Sequence, residues 1–433
     1  MNFKEVNKIY TLPQAIREAQ RCLHCKVPGC KKGCPISNDI PDWIAELAKG
    51  NFGNAMAIIN TRSNLPAVCS RVCGHERQCE GHCVLAKKGE AIHIGRLERF
   101  VSDFDTEAGI THENIPEKSR GRVAVIGSGP AGLTVAGDLS RQGFEVEIFE
   151  MEAEPGGMLQ FGIPEYRLPK TVVRREIRKI ENLGVKIHLN TTVGENFTID
   201  EIFSKGFDAI FIGTGTGVPK RLEIPGIVHP GVRQAIRFLR RVSLFESGYM
   251  SRDEVMISEG DRVAIIGCGN TAMDAARTAL RMGAKEVTVV YHRDITKVTA
   301  LKAEFDEAVA EGVKFRWDST VVNIEGGDDN KLRSVTIQSG DDLEVVPVER
   351  LILAIGSAPA ARIVSSTEGI DVDEHGYVLT RDNPYGMTSR KGVFAGGDVT
   401  DRPATVVHAM EDAKKVAEGI ARYVDAVKLV DSL

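Results

Sequence analysis

The sequence has no run of about 20 apolar residues, the length that crosses a bilayer as a helix, so we expect no transmembrane segment. Basic residues are not in excess, because 55 Lys and Arg face 60 Asp and Glu, for a net charge of −5. This balance excludes the positive field of a typical nucleic-acid-binding protein. The first residues, MNFKEVNKIYTLPQ, lack the apolar core of a secretory signal. We therefore expect a cytoplasmic protein that binds neither membrane nor nucleic acid.

The composition is otherwise that of an ordinary globular protein. Hydrophobic residues make up 42% and charged residues 27% of the 433 residues, which excludes a disordered or collagen-like chain. At about 150 residues per domain, this length predicts roughly three domains. Glycine is abundant, with 43 residues, and glycine lets the backbone approach a ligand closely.

Cysteine is concentrated in one place, since eight of the nine cysteines lie between Cys22 and Cys83. Two runs contain them: Cys22-x2-Cys25-x4-Cys30-x3-Cys34-Pro35 and Cys69-x3-Cys73-x5-Cys79-x3-Cys83. Without a secretory signal, such a cluster indicates metal or redox chemistry rather than disulfides. The first run is close to that of bacterial ferredoxins, whose last cysteine before proline binds the neighbouring cluster, and this predicts two interleaved four-iron clusters. The alternative is structural zinc, which usually pairs two C-x2-C knuckles, and the second run has none.

A glycine-rich turn follows the cysteine block. RVAVIG is a predicted strand, SGPAGLTVAGDLSRQG a helix and FEVEIFE a second strand. Gly127, Gly129 and Gly132 form G-x-G-x-x-G between strand and helix, where the helix N-terminus attracts a pyrophosphate. Glu150 ends the second strand, where a carboxylate binds ribose hydroxyls. The pattern predicts a dinucleotide site.

The same pattern returns 140 residues later with RVAIIG, CGNTAMDAARTALRMG and KEVTVVYHR. Gly267, Gly269 and Ala272 form the permitted variant G-x-G-x-x-A. Arg293 stands where an NAD site often has an acid, and a guanidinium can bind a 2′-phosphate, so NADP(H) is favoured over NAD(H). The alternative is that Arg293 is a solvated surface residue. Cys268 is predicted to be a packing residue, because no second cysteine is nearby in sequence.

The second copy interrupts the first. A strand-like IFIGTGT precedes it, and LILAIGSA (351–358) and GVFAGGDV (392–399) are expected to return the chain to the first domain. The helix-like stretches IPDWIAELAKG and NAMAIINTRS lie in the cysteine block, and TEAGITHENIPEKSRG is a predicted linker. The expected domains are 1–118 with the cysteines, 119–228 with 350–433 for the first dinucleotide, and 229–349 for the second.

Together these motifs resemble one family. CLHCKVPGCKKGCP, LPAVCSRVCGHERQCEGHC, IHIGRLERF, EPGGML, GIPEYRLP and VFAGGD, with both glycine turns, are similar to the glutamate synthase small (beta) subunit family. That family is related to the N-terminal part of dihydropyrimidine dehydrogenase and to the large subunit of NADH-dependent reduced ferredoxin:NADP oxidoreductase. The resemblance implies an α/β fold with two Rossmann-like domains, the second inserted in the first as in thioredoxin reductase, preceded by an α-helical domain with two [4Fe-4S] clusters.

The resemblance also implies which residues bind each group. One cluster would be held by Cys22, Cys25, Cys30 and Cys83, and the other by Cys34, Cys73, Cys79 and Glu98, which leaves Cys69 outside both sets. FAD would be bound by Gly127, Ser128, Gly129, Pro130, Ala131, Gly132, Glu150, Gly157, Met158, Arg167, Val193 and Asp398. The nicotinamide nucleotide would be bound by Gly267, Cys268, Gly269, Asn270, Thr271, His292, Arg293, Ala354, Ile355 and Gly356.

The implied function is an NAD(P)H-dependent oxidoreductase subunit that passes electrons through FAD and the clusters to a partner, without a catalytic acid or base. The partner would be a glutamate synthase large subunit. Alternatives are a ferredoxin-reductase-like subunit of an electron-bifurcating complex, with ferredoxin, and a pyrimidine-reducing subunit. A non-enzymatic redox-sensing module is disfavoured by the two nucleotide sites. Two departures from the family pattern stand out: DITKVTALKAEF follows Arg293 where relatives have Met-Pro-Ala and more Arg, and Glu411 stands where relatives have Gly.

Overall fold

A computed structural model describes residues 2–6, 9–111, 113–327, 329, 331–360, 363, 367–400 and 405–432. Position 112, in the predicted linker, lies outside the described residues. The chain divides into two compact units. One contains Met1–Glu5, Gln160–Tyr166 and Val218–Ser357, and the other contains Val6–Leu159, Arg167–Gly217 and Ala358–Leu433.

The cysteine block of the larger unit is helical. Its helices are α1 (Leu12–Gln20), α2 (Gly29–Lys32), α3 (Ile40–Ala48), α4 (Phe52–Asn60), α5 (Pro66–Val72) and α6 (Ile94–Ala108). The predicted helices IPDWIAELAKG and NAMAIINTRS are confirmed as α3 and α4. Proline stands in the first turn of α1, α3 and α5, where its fixed φ favours helix initiation. The apolar faces meet in one core that includes Trp43, Ile44, Leu47, Met56, Ile59, Leu97 and Val101.

The rest of the larger unit is built on a seven-stranded sheet with the strand order β15-β16-β17-β4-β1-β2-β3. Its strands are β1 (Gly121–Ile126), β2 (Phe144–Phe149), β3 (Lys186–His188), β4 (Ala209–Ile212), β15 (Thr380–Asp382), β16 (Tyr385–Thr388) and β17 (Val393–Ala395). Its helices are α7 (Pro130–Arg141), α9 (Lys170–Asn182), α10 (Ile199–Ser204) and α14 (Val406–Asp431), and α8 (Met158–Phe161) follows β2. Strands β17, β4, β1, β2 and β3 run parallel, which confirms the β–α–β prediction.

The smaller unit has its own parallel sheet, in the order β6-β13-β7-β8-β9. The strands are β6 (Val232–Gln234), β7 (Arg262–Ile266), β8 (Glu286–Val290), β9 (Lys314–Arg316) and β13 (Arg350–Leu353). Helices α11 (Ala235–Glu246), α12 (Asn270–Arg281) and α13 (Lys302–Ala310) accompany them. A separate antiparallel sheet contains β10 (Ser319–Gly326), β11 (Leu332–Ser339) and β12 (Asp342–Pro347), and the short strands β5 (Val218–Pro219) and β14 (Ser357–Ala358) complete the set.

One strand assignment from the sequence is wrong. We expected LILAIGSA to return the chain to the first domain, but its strand β13 pairs in parallel with β7 and with β6. Only GVFAGGDV, as β17, joins the first sheet, beside β4. An apolar strand of four residues carries no signal of which sheet it enters, and Leu351 and Ile352 are fully buried in the smaller unit.

The architecture is α/β, with two Rossmann-like sheets of which the second is inserted in the sequence of the first, after an α-helical block. Within the described residues, no helix combines the length and the apolar composition needed to cross a bilayer.

Candidate functional site

The first glycine turn lies between β1 and α7 and is held by close backbone contacts. Gly127 has φ +95°, and a Cβ there would lie 2.8 Å from the carbonyl oxygen of Gly213, so only glycine fits. A Cβ on Gly132 would overlap the carbonyl oxygen of Gly127. A Cβ on Gly129, in contrast, would meet no atom within 4 Å, and Gly129 has no side chain to cap α7. The free N–H groups of the first turn, at Ala131 and Gly132 after Pro130, are therefore available to a phosphate.

Glu150 and Ser128 join the turn to the loop after β2. Glu150 is 5% exposed, and its Oε2 accepts hydrogen bonds from Ser128 N at 2.9 Å and from Ser128 Oγ at 2.5 Å. Ser128 Oγ accepts a further bond from Gly156 N at 2.9 Å. The carboxylate is thus fixed at the end of β2, where it retains acceptor capacity for a ribose hydroxyl.

The other predicted FAD residues differ in burial, and one of them, Gly157, packs against this turn. A Cβ on Gly157 would lie 3.0 Å from Gly129 Cα, which places the EPGGML loop against the glycine turn. Met158 is exposed, whereas Arg167 and Val193 are buried, and Val193 belongs to a core cluster with Phe149. Gly157 therefore lies beside the turn.

The AGGD loop, which contains Asp398, meets the same turn through α14. A Cβ on Gly397 would lie 2.9 Å from Ala131 Cβ and 3.7 Å from Ala409 Cβ, so the loop lies between the starts of α7 and α14. Asp412, on α14, accepts a hydrogen bond from Gly397 N at 2.7 Å and another from Tyr385 Oη at 2.7 Å. Sequence reasoning missed Asp412, although its place two turns into the helix after AGGD could have indicated it.

Glu411, the predicted departure from the family pattern, is on another face of α14. Its carboxylate forms an ion pair with Lys415 at 2.9 Å, one turn further along the helix. The side chain is thus engaged in an i,i+4 pair rather than in the contacts of the AGGD loop.

The second glycine turn, between β7 and α12, repeats the first. Gly267 has φ +114°, and a Cβ there would overlap the carbonyl oxygen of Ala354, just after β13. Ala354 N donates to Ile266 O at 2.8 Å. Gly213 and Ala354 thus occupy matching positions in the two sheets. Ala354, the first residue of the turn Ala354-Ile355-Gly356, therefore lies against the glycine turn, and Gly356 has φ +95°.

The remaining predicted nucleotide residues surround this turn. Asn270 Oδ1 accepts a bond from Leu301 N at 2.8 Å, and Thr271 is exposed. Cys268 is 2% exposed and burial raises its pKa to about 11, as expected of a packing thiol. His292 and Arg293 are exposed directly after β8, and Arg293 forms no ion pair with any described residue. Its guanidinium is free to meet a ligand.

Four cysteines from distant parts of the block line a single pocket. Cys22, Cys25, Cys30 and Cys83 surround it, with a wall that includes Ile40, Ile44 and Ile92. These four are the first ligand set that the family resemblance implied. Every other lining residue is apolar or glycine, so the pocket presents sulfur on a hydrocarbon surface.

A second pocket contains the other predicted set. Cys34, Cys73, Cys79 and Glu98 line it, and so do Cys69, Trp43, His75 and Val407. Cys69, which the resemblance left outside both sets, is therefore a wall residue of the second pocket.

Ionisation in the two pockets follows from burial. Burial raises the pKa of Cys30 and of Cys34 to about 11, and burial together with Glu176 raises the pKa of Glu98 to about 8. Burial lowers the pKa of His75 to about 4. Because iron binds thiolates, loading of these pockets with metal must release protons.

The donors fit iron–sulfur clusters better than single ions. Among the described residues, no three His, Cys, Asp or Glu side chains are placed to hold one metal ion. Each pocket is instead lined by several candidate ligand side chains, and thiolates are the ligands that iron–sulfur clusters prefer. A four-iron cluster spreads its ligands over its corners, which agrees with this arrangement.

Comparison with known proteins agrees with both halves of the chain. Residues 1–110 match the family described as dihydropyrimidine dehydrogenase domain II, 4Fe-4S cluster, and residues 121–413 match the pyridine nucleotide-disulphide oxidoreductase family. The glutamate synthase [NADPH] small chain of Escherichia coli (strain K12) is 33% identical, over 98% of this chain and 94% of that protein. The NAD-dependent dihydropyrimidine dehydrogenase subunit PreT of the same organism is also 33% identical, over 97% of each chain.

A solved structure supports the fold. Lactococcus lactis thioredoxin reductase has a TM-score of 0.55 and 25% identity, and the match covers 70% of this chain and 99% of that one. The two family models together span the cysteine block and both glycine turns. The chain therefore belongs to the glutamate synthase small-subunit family, and it is an FAD- and NAD(P)-dependent iron–sulfur oxidoreductase of the electron-transfer subunit type.

Proposed function

We propose that this chain oxidises NADPH and passes the electrons through FAD and two [4Fe-4S] clusters to a partner redox subunit, as a glutamate synthase small subunit. The first cluster has the ligands Cys22, Cys25, Cys30 and Cys83, and the second has Cys34, Cys73, Cys79 and Glu98. FAD occupies the Gly127–Gly132 turn and the nicotinamide nucleotide occupies the Gly267–Ala272 turn. Seven thiol side chains held for metal suit a reducing compartment, and we place the protein in the cytoplasm.

The observation that carries this proposal is the position of α14. Val407, in its first turn, lines the second cysteine pocket, and Ala409, two residues later, lies against the AGGD loop beside Ala131. One helix therefore contacts both the candidate flavin site and the candidate cluster site. This supports a short path for electrons from flavin to the second cluster.

The chain's own residues bind and orient the nucleotides. The uncapped N-terminus of α7 takes the FAD pyrophosphate and Glu150 takes the ribose. The N-terminus of α14, where the Thr405 side chain makes no cap hydrogen bond, stabilises negative charge near it. When bound, FAD supplies the conversion of a hydride into single electrons.

The preference for NADPH rests on Arg293, which is exposed and unpaired within the described residues. Its guanidinium would bind the 2′-phosphate through charge-assisted hydrogen bonds. We expect Arg293→Ala to raise the KM for NADPH about tenfold and to leave the KM for NADH unchanged. Arg333→Ala, which removes an exposed arginine paired with Asp329, is the control and should change neither. A wild-type enzyme with a lower KM for NADH would overturn the NADPH assignment.

A second candidate is an NAD-dependent subunit of the dihydropyrimidine dehydrogenase type. Asp294 follows Arg293 directly and is held by a hydrogen bond from Thr296 N at 2.7 Å, so a carboxylate is fixed beside the guanidinium. A carboxylate near this position repels a 2′-phosphate. Raised activity with NADPH and lowered activity with NADH in Asp294→Asn would favour this second candidate.

The electron path is tested by anaerobic stopped-flow reduction with NADPH. We expect the flavin absorbance at about 450 nm to bleach first and the broad cluster absorbance to fall in a second phase. The reason is that hydride transfer to the flavin precedes single-electron transfer to the clusters. Reduced flavin with unchanged clusters would contradict the proposal. The chain that co-purifies identifies the partner: an amidotransferase supports the glutamate synthase type, and a pyrimidine-reducing or ferredoxin-reductase-like subunit supports an alternative.

A further inference from the structure

Trp43 has a buried donor with no partner. The side chain is 1% exposed in the core of the cysteine block, and its indole Nε1 has no hydrogen-bond partner among the described residues. Indole nitrogen can only donate, and buried donors in folded proteins are nearly always bonded. A missing acceptor at this position therefore calls for an explanation.

Two more buried polar atoms without partners lie around the same pocket. They are Nε2 of His75 and Oδ1 of Asn38, and both residues line the second cysteine pocket with Trp43. The four candidate ligands Cys34, Cys73, Cys79 and Glu98 line it as well. Three residues with unpartnered buried atoms thus line the pocket that a cluster would fill.

The first pocket is different. Its lining consists of the four cysteines and Leu, Pro, Gly, Ile and Val residues, so no lining side chain other than a thiol carries a donor. Hydrogen bonds to cluster sulfurs are one of the factors that set the reduction potential, because a donor stabilises the more negative reduced cluster. The two pockets are therefore built to hold clusters of different potential.

We propose that Trp43 Nε1–H and His75 Nε2–H donate hydrogen bonds to sulfur atoms of the second cluster and raise its reduction potential above that of the first. This inference rests on the proposed function, since it requires a cluster in each pocket. Electrons that arrive from the flavin would then be retained first on the hydrogen-bonded cluster. A neutral imidazole has one N–H, and the cluster selects the tautomer with the proton on Nε2.

The ring of His75 packs closely against Gly95, where a side chain would leave it no room. A Cβ on Gly95, in the first turn of α6, would lie 2.5 Å from His75 Nε2 and still closer to the ring carbon Cε1. Gly95 N is itself fixed by Glu80 Oε1 at 3.0 Å. Glycine at this position therefore lets the imidazole ring pass between α6 and the pocket.

The test is a potentiometric titration of the anaerobic full-length protein followed by EPR. In Trp43→Phe, which keeps the aromatic ring and removes the N–H, we expect the reduction equilibrium of one cluster to shift about tenfold towards the oxidised form, or about 59 mV for one electron. His75→Leu should shift the same signal in the same direction. Trp317→Phe replaces the only other tryptophan and is the matched control, which should move neither cluster.

A second measurement does not depend on the folding of the Trp43 and His75 variants. With ¹⁵N-labelled tryptophan, pulsed EPR of the reduced wild-type protein should detect a ¹⁵N coupling to one cluster, and that coupling should persist in Trp317→Phe. Suppose that iron and sulfide analysis finds two clusters. Unchanged potentials in both variants, or no ¹⁵N coupling, would then overturn this inference but not the proposed function. A protein that binds zinc or fewer than two clusters would instead overturn the proposed function.

Discussion

The Sγ atom of Cys69 lies 3.6 Å from the Sδ atom of Met410. Cys69 is on α5 of the cysteine block and Met410 is on α14, the helix that follows the AGGD loop. Cys69 also lines the second cysteine pocket. The wall of that pocket is therefore in direct van der Waals contact with the helix that faces the candidate flavin site.

Cys69, on α5, and Cys73, the C-cap residue of that helix, offer a matched comparison. Because Cys69 contacts Met410 and the resemblance leaves it outside both ligand sets, Cys69→Ala should retain the full iron and sulfide content. Cys73→Ala removes a proposed ligand of the second cluster, and on that proposal about half of the iron should be lost. Iron analysis of both variants after anaerobic purification decides the matter, and iron loss in Cys69→Ala would make that cysteine a ligand.

Met410 should contribute to stability through packing. It is fully buried, so Met410→Ala leaves a cavity and should lower the free energy of unfolding by about 2–5 kcal/mol. Met410→Leu nearly conserves the volume and should cost less than about 1.5 kcal/mol. Urea unfolding followed by flavin fluorescence measures both. Equal losses in the two variants would mean that the sulfur contact, rather than the volume, is what matters.

The two glycine turns can be separated by alanine substitutions. A Cβ on Gly132 would overlap the Gly127 carbonyl, so Gly132→Ala should purify without FAD. A Cβ on Gly267 would overlap the Ala354 carbonyl, so Gly267→Ala should keep FAD but lose NADPH oxidation by at least about tenfold, or about 1.4 kcal/mol. Bound flavin and steady-state kinetics are the measurements. Loss of FAD from Gly267→Ala would show that the two turns are not independent.

Asp103 should stabilise the cysteine block over a wide pH range. Its carboxylate bonds Arg71 at 2.7 Å and Arg175 at 2.7 Å, and Arg71 and Arg99 are each 3% exposed. Burial raises the pKa of Asp103, but the arginines outweigh burial and hold the pKa below its usual value. Because the folded pKa is depressed, the stabilisation is complete above the unfolded value of about 3.9 and is lost only as the pH falls through the folded value.

Asp103→Ala should therefore destabilise the protein by about 3 kcal/mol, since it removes an anion that buried arginines share. The difference from wild type should be the same at pH 5.5 and pH 7.5, in urea unfolding at both values. Glu344→Ala, which breaks an exposed pair with Arg316, is the control and should leave the unfolding midpoint nearly unchanged. A difference that grows between pH 7.5 and pH 5.5 would contradict this account.

The local patterns of the sequence predicted most of the architecture. Gly127 and Gly267 were identified because a glycine turn between strand and helix has a spacing that chemistry dictates. The destination of the strand at Leu351 was not predictable, because pairing depends on neighbours remote in sequence. Asp412 and Trp43 were missed for a similar reason: a carboxylate and an indole on helices have no distinctive spacing, and their partners become visible only when the chain is folded.

Helix α14 has a consequence for how such proteins can be recombined. Val407 and Met410 belong to the last 30 residues of the chain, yet they face cysteines near its beginning. A chimaera that exchanges the first 110 residues between relatives would thus disturb the contacts of Val407 and Met410 with the cysteine block. Exchanging helix α14 as well would preserve them. The two contacting segments should therefore vary together among relatives. Substitutions at residues 407 and 410 should be compensated by changes around residue 69 rather than by changes in adjacent sequence.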